Sequence, residues 1–398
     1  MNSFLDKYEK TSWVDISSRI ELSTRDDVEN ALKTDGRCGL EGFAALLSPI
    51  AGVEYLEEMA QVAHKLTVQR FGKVIRLFAP MYLSNECTNV CDYCGFSLGN
   101  KIPRKTLSIA EILKETGALR KHGFEHVLLV TGESAQKVST DYLFEAITVL
   151  SEYFSNVSME VQPLDQGDYQ HLIKAGLHAV LVYQETYERD SYAKHHLKGK
   201  KTNFNWRLET ADRLGRAGIN KIGLGCLYGL TENWRTDSFF AGLHLDYLEK
   251  KYWQTSFSMS FPRIRPYEGE MSPLVDLQDR DLVQLLCAFR IFNHELELSL
   301  STRESPTLRE QLLPIGITTM SAGSKTNPGG YSVSDDSLEQ FSISDERNPD
   351  EISQMLRLKG YEPVWKDWDC SYHFKSKTDS SKGIFCDERT SSSARLVS

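Results

Sequence analysis

The 398-residue sequence has no apolar run long enough to cross a membrane, no excess of basic residues, no paired-cysteine framework and no internal repeat beyond a strand–helix alternation. Each absence removes a class of function. A membrane-spanning helix needs about 20 consecutive apolar residues, and Met1 to Trp13, with Asp6, Glu9 and Lys10, lacks the apolar stretch of a secretory signal. A net charge of −9 offers no basic surface to nucleic acid. Of eight cysteines, Cys38, Cys226, Cys287, Cys370 and Cys386 are scattered and Cys87, Cys91 and Cys94 crowd one loop. That distribution fits a reducing compartment rather than a disulfide scaffold. The expectation is a cytoplasmic protein without nucleic-acid or membrane partners. At 40% hydrophobic and 25% charged residues, the composition is that of an ordinary globular chain with material for a large core.

What is present is organised around Ser84–Leu98, where three cysteines are spaced Cys-x3-Cys-x2-Cys. One short loop can present all three sulfurs to one metal centre. A four-iron cubane is normally held by four thiolates, so three leave one iron open, and an open position marks a catalytic rather than a structural site. A zinc knuckle or three unrelated buried thiols is the plainer reading, but zinc sites usually pair two such clusters and no second one is near. The stretch resembles the radical S-adenosylmethionine (SAM) enzymes, in whose loop an aromatic residue, here Tyr93, precedes the third cysteine. The resemblance implies a [4Fe-4S] cluster on Cys87, Cys91 and Cys94, with SAM chelating the fourth iron.

Residues 1–72 read as a helical extension, with the clearest helix over Val53–Phe71, stopped by Gly72. From Lys73 short apolar runs alternate with amphipathic segments. The candidate strands are Val74–Tyr82, His126–Val130, Val157–Val161, Ala179–Tyr183, Lys221–Cys226, Ser256–Phe261, Glu295–Leu300 and Gly316–Met320. Ser108 and Glu111 form a capping box for a helix over Ile109–His122 that Gly123 ends, and a helix near Trp206–Ala217 ends at Gly218. Eight such units predict an α/β fold, a (β/α)8 TIM-type barrel over 73–325, in which chemistry sits on the loops after the strands. Polar residues do recur there: Thr131-Gly132-Glu133, Gln162, Tyr183–Tyr187, Arg263 and Arg265, Ser301–Glu304 and Ser321–Lys325. Singly, each is more simply a helix cap. A C-terminal extension over 326–374 has a helix at Glu351–Lys359 and an aromatic segment to Asp369, and 375–398 reads as a disordered tail.

Cys94–Ser97, Val130–Glu133, Glu160–Leu164, Val182–Tyr187, His195–Lys201, Ser299–Pro306 and Ser324–Tyr331 together resemble the 2-iminoacetate synthase family, the radical SAM tyrosine lyases of bacterial thiazole (thiamine) biosynthesis. The similarity runs in order from about Tyr82 to Trp368. It implies that a 5′-deoxyadenosyl radical takes a hydrogen from the amino group of L-tyrosine, and that the Cα–Cβ bond breaks to p-cresol and 2-iminoacetate for a separate thiazole synthase. It further implies that Glu133 takes the SAM amino group, although Thr131 stands where the superfamily has glycine. Tyr93 and Phe96 would lie beside the adenosyl group and Glu185 at its polar face. Arg303 is the expected carboxylate clamp, since a guanidinium fork pairs both oxygens; its plainer reading is an ion pair with Glu304 or a neighbouring strand. Tyr82, Ser84, Ser321 and Ser324 would orient the amino group or the phenol.

The basic run Lys194–Lys201 is either a solvated loop or a face, through Lys198, Lys200 and Lys201, for an acidic flavodoxin or ferredoxin reductant. His195 and His196 have no other ligand candidates at metal spacing. Three rivals remain. The tyrosine lyase of hydrogenase maturation uses a second cluster on a C-terminal Cys-x2-Cys pair, and only Cys370 and Cys386 stand there. A tryptophan lyase would differ in its pocket, and an iron–sulfur sensor or scaffold would not cleave SAM.

Overall fold

The computed structural model describes residues 3–266, 272–332 and 339–366. The strands among them are β1 (Val74–Ser84), β2 (Val90–Cys91), β3 (His126–Thr131), β4 (Asn156–Glu160), β5 (Leu177–Leu181), β6 (His196–Lys198), β7 (Lys221–Gly225), β8 (Ser256–Ser260), β9 (Glu297–Leu300), β10 (Thr319–Ser321) and β11 (Glu362–Val364). Eight of these run parallel in the order β1-β3-β4-β5-β7-β8-β9-β10, and β10 returns to β1 with Thr319 opposite Arg76. The result is the expected eight-stranded barrel, and all eight sequence-predicted strands are found within a few residues of their expected limits.

The alternation of side chains along β1 shows how the sequence closes the sheet. Ile75, Leu77, Ala79, Met81 and Leu83 face outward into the main core beneath the helices, while Arg76, Phe78, Pro80 and Tyr82 point into the barrel. β3 does the same, with Val127 and Leu129 outward and His126, Leu128 and Val130 inward. A period of two is what a strand covered by helices on one face and closed on itself on the other requires. At the amino-terminal floor of the barrel, Glu297 of β9 binds both Arg76 of β1 and Lys221 of β7, so this carboxylate is paired with two cations.

Helices occupy Phe4–Phe71, as expected. The single helix predicted over Val53–Phe71 is instead two, Pro49–Glu54 and Leu56–Phe71. Ser48 caps the first and Pro49 opens it; Tyr55, at φ −118°, interrupts the helical backbone between them. Phe4 lies buried with its ring stacked on His244 at 3.8 Å, and its amide donates to Asp212 at 2.9 Å. The helix Ile109–Lys121 has the predicted capping box. The expected helix near Trp206 divides into Phe204–Leu208 and Thr210–Ala217, ending at Gly218 in the left-handed conformation. Beyond the barrel, the helix Pro349–Leu358 leads into β11, which pairs with the first residues of β1, Val74 opposite Glu362. The predicted disordered tail at 375–398 lies outside the described residues.

Candidate active site

The cysteine loop leaves the end of β1 and is held by protein contacts on both flanks. Arg104 donates to the carbonyl oxygens of Asn85, Phe96, Ser97 and Asn100 at 2.7–3.3 Å, gripping both flanks of the loop. β2, which contains Cys91, pairs antiparallel with β6. Behind the loop, Asp92 accepts from His195 at 3.0 Å and Tyr93 shares a 2.7 Å hydrogen bond with His196. The two histidines therefore brace the loop, in keeping with the absence of any metal partner for them in the sequence. Gly132 passes so close that a Cβ there would lie 2.4 Å from the Glu86 carbonyl oxygen, so only glycine fits beside the loop.

Cys87, Cys91 and Cys94 are free thiols opening on one cavity at the carboxyl ends of the strands. Among the described residues, no three His, Cys, Asp or Glu side chains converge on a single-ion site. Three thiols opening on one cavity are the donor type and number that a multi-iron cluster held at three corners needs. The residues present therefore fit the cluster.

The polar strand ends meet on this cavity. Glu133, Tyr183, Glu185, Arg265, Arg303, Ser321 and Ser324 all line it. Gln162 does not; its amide donates to the Val138 carbonyl at 2.8 Å. Glu133 and Glu185 are joined by Arg207, at 2.9 and 3.3 Å. Asn89 donates to Glu133 at 2.8 Å and Lys201 to Glu185 at 2.7 Å. Burial alone would raise the Glu133 carboxyl, but Arg207 and Lys201 outweigh it and hold its pKa below the ordinary range. Glu185 is the one non-glycine residue with positive φ, +73°, among the described residues, and such strain collects at functional sites.

Arg303 also faces the cavity, and its guanidinium sits 3.4 Å from the ring of Phe341. Among the described residues it has no carboxylate partner, because Glu304 binds Arg263 and Arg265 instead. The ion-pair reading of Arg303 with Glu304 therefore fails. Burial lowers the Arg303 pKa, and a desolvated guanidinium favours an anion beside it. Glu160, at the end of β4, lines the same cavity with its pKa raised to about 7 by burial and by the neighbouring Glu185. Tyr82 and Phe96 meet edge to face at 5.9 Å, and the Ser324 hydroxyl is buried without a hydrogen-bond partner.

Two expectations need correction. Ser84 does not line the cavity: its hydroxyl bonds Thr106 at 2.7 Å and accepts from the Glu86 amide at 3.2 Å, shaping the base of the loop. Lys201 faces inward to Glu185 rather than outward to a partner, whereas Lys198 and Lys200 are exposed. The residues that sequence reasoning missed are Asn89, Arg207, Gln340 and Phe341, together with Glu160 as a site residue. Asn89 lay inside the cysteine loop, where its position was the available signal. Gln340 and Phe341 come from the C-terminal extension and are held over the cavity by the buried pair Arg309–Asp345 and by the Gln340 amide, which donates to Thr326 at 3.0 Å.

Residues 81–240 match the Radical SAM superfamily and 260–362 the Biotin and Thiamin Synthesis associated domain. The chain is 52% identical to the 2-iminoacetate synthase of Escherichia coli (strain K12) and 50% identical to that of Salmonella typhimurium (strain LT2), in each case over 93% of this chain and 97% of the relative. Among solved structures it is similar to the FeFe-hydrogenase maturase HydG from Carboxydothermus hydrogenoformans, with a TM-score of 0.82 and 31% identity over 89% of this chain and 82% of that one. Cys370 and Cys386, on which the comparison with a maturation lyase turned, lie outside the described residues.

Proposed function

The chain belongs to the 2-iminoacetate synthase family of radical SAM lyases, and from that premise we propose how its side chains divide the work of cleaving L-tyrosine to p-cresol and 2-iminoacetate for the thiazole of thiamine. When bound, the [4Fe-4S] cluster and SAM supply the 5′-deoxyadenosyl radical that takes hydrogen from the substrate amino group. The carrying observation is that three free thiols and a guanidinium without a carboxylate partner among the described residues open on one cavity.

Cys87, Cys91 and Cys94 hold the cluster. Glu133 takes the SAM amino group and Glu185 the polar face of the adenosyl group, with Tyr93 and Phe96 beside it. Arg207 pairs with both carboxylates and Lys201 with Glu185, which holds the two side chains in place. Arg303 clamps the tyrosine carboxylate through its fork, and stacking on Phe341 limits its rotation. Glu160 faces the amino end, and Tyr82, Ser321 and Ser324 orient the amino group or the phenol. Fixing both ends of the amino acid decides which hydrogen meets the radical, a positioning effect worth orders of magnitude in rate.

Thiazole synthase is the proposed consumer of the product. A flavodoxin or ferredoxin is the proposed electron donor, docking at Lys198 and Lys200 on β6 and the turn after it, beside the strand that contains Cys91. No helix among the described residues is long and apolar enough to cross a membrane, and the scattered thiols support the cytoplasm as the compartment.

The test is anaerobic. Protein reconstituted with iron and sulfide, then given SAM, tyrosine and dithionite, is expected to yield 5′-deoxyadenosine and p-cresol together. Deoxyadenosine without p-cresol, with turnover restored by tryptophan, would overturn the substrate. Neither product, from protein that has taken up a cluster, would overturn the enzyme reading.

A further inference from the structure

Gln340 stands where the two halves of the site meet. Its side-chain nitrogen lies 3.7 Å from the Cys94 sulfur, within range of an N–H···S hydrogen bond, and its side-chain oxygen accepts from the Tyr82 hydroxyl at 2.8 Å. The backbone is equally committed: the Gly95 amide donates to the Gln340 carbonyl at 3.2 Å, and a Cβ on Gly95 would stand 2.4 Å from that oxygen. A C-terminal segment is thus seated directly on the residue that follows the third cysteine.

We infer that Gln340 is a positioning residue that joins the cluster to the substrate pocket, donating to the Cys94 sulfur while its carbonyl oxygen fixes the Tyr82 hydroxyl. The inference rests on the reading that Cys94 ligates the cluster. A hydrogen bond to a ligating sulfur withdraws electron density from it and stabilises the reduced cluster, and such bonds are among the determinants of iron–sulfur potentials. Because the amide oxygen is occupied by Tyr82, the amide is turned with its N–H toward sulfur; loss of the hydroxyl frees that orientation.

The experiment is an anaerobic redox titration of the reconstituted holoenzyme, followed by the EPR signal of the reduced cluster, with iron content matched between variants. Gln340→Met is expected to move the midpoint potential to a more negative value, and Tyr82→Phe to move it in the same direction by less. A Gln340→Met potential equal to that of the unsubstituted protein overturns the proposal. Should Gln340→Met take up no cluster, Gln340→Glu keeps the length and sets a carboxylate beside the sulfur. Its potential is expected to be more negative still, and an unchanged or more positive value overturns the proposal. Unsubstituted protein that binds no cluster would instead defeat the cysteine reading.

Discussion

Arg104 donates to the Asn85 carbonyl at 2.7 Å, just before the cysteine loop begins, and the same guanidinium holds Phe96 and Ser97 just after it ends. One cation therefore closes the loop at its base. Charged hydrogen bonds of this kind are worth about 1.5–3 kcal/mol each, and a lysine ammonium cannot fork across both flanks. Arg104→Lys is expected to remain folded by circular dichroism yet to take up less than about half the iron of the unsubstituted protein on reconstitution, when charge-assisted bonds of that size are lost. Full iron loading would remove Arg104 from that role.

Arg303→Lys should retain the cluster and SAM binding, because no bond of Arg303 reaches the cysteine loop, Glu133 or Glu185. Tyrosine turnover should fall at least about tenfold, the cost of exchanging a bidentate fork for a point charge. The rate of p-cresol release measures this, and unchanged turnover would place the substrate carboxylate elsewhere.

Glu160→Gln removes the carboxylate that faces Arg303 across the pocket without changing its shape. The ratio of p-cresol to deoxyadenosine is expected to drop, with KM for tyrosine raised by about tenfold, the equivalent of one lost charged hydrogen bond. A weakened affinity for SAM with normal tyrosine KM would reassign Glu160 to the cofactor.

With Lys201 engaged inside the cavity, the docking test falls on its exposed neighbours. The double change Lys198→Ala and Lys200→Ala should slow reduction by flavodoxin, most strongly at low ionic strength where steering acts, and leave reduction by dithionite unchanged. Equal slowing with both reductants would indicate damage to the cysteine loop through β6.

His244 is buried between Phe4 and Tyr187, and burial lowers its pKa to about 3. In the unfolded chain a histidine takes a proton below about pH 6.5. The folded state declines that proton, so its contribution is complete above about pH 6.5 and is lost as pH falls toward 3, by roughly 1.4 kcal/mol per unit. Asp237 and Glu160, both raised to about 7, act in the opposite sense, and comparison with His244→Gln cancels them. Urea unfolding at pH 6.5 and 5.5 should show the protein losing about 1 kcal/mol more than the variant over that unit, less than the limiting slope because the unfolded histidine is already half protonated at about pH 6.5; parallel losses would mean that His244 charges in the folded state.

The barrel was legible because its signal is local. Each of the eight strands is a short apolar run between turn residues, and the inward position of Tyr82, Glu133, Glu185 and Arg303 follows from a strand ending where the loop begins. The limits of legibility are equally physical. Arg207 lies in an unremarkable helical segment, and its role depends on Glu133 and Glu185 arriving from two different strand ends. Ser84 has the inward parity of Tyr82 in β1, but the register shift between the two sends its hydroxyl to Thr106. Gln340 lies in a stretch that reads as serine-rich and acidic, and its partner Tyr82 is 258 residues away. Pairings of that range leave no trace in a window of a dozen residues.

The closure of β1 by β10 has a consequence for the order of events on the ribosome. β1 is made first among the strands, yet the neighbour that closes the barrel, Thr319–Ser321, emerges roughly 235 residues later. At about 5–20 residues per second that is a wait of roughly 10–50 s. Throughout it one edge of an eleven-residue apolar strand stays open, a known hazard for mispairing. Gln340 is synthesised later still. Iron and sulfide that reached the cysteines during this interval would find them on an unfinished wall, so cluster insertion belongs after translation, when the chain has shut its own barrel.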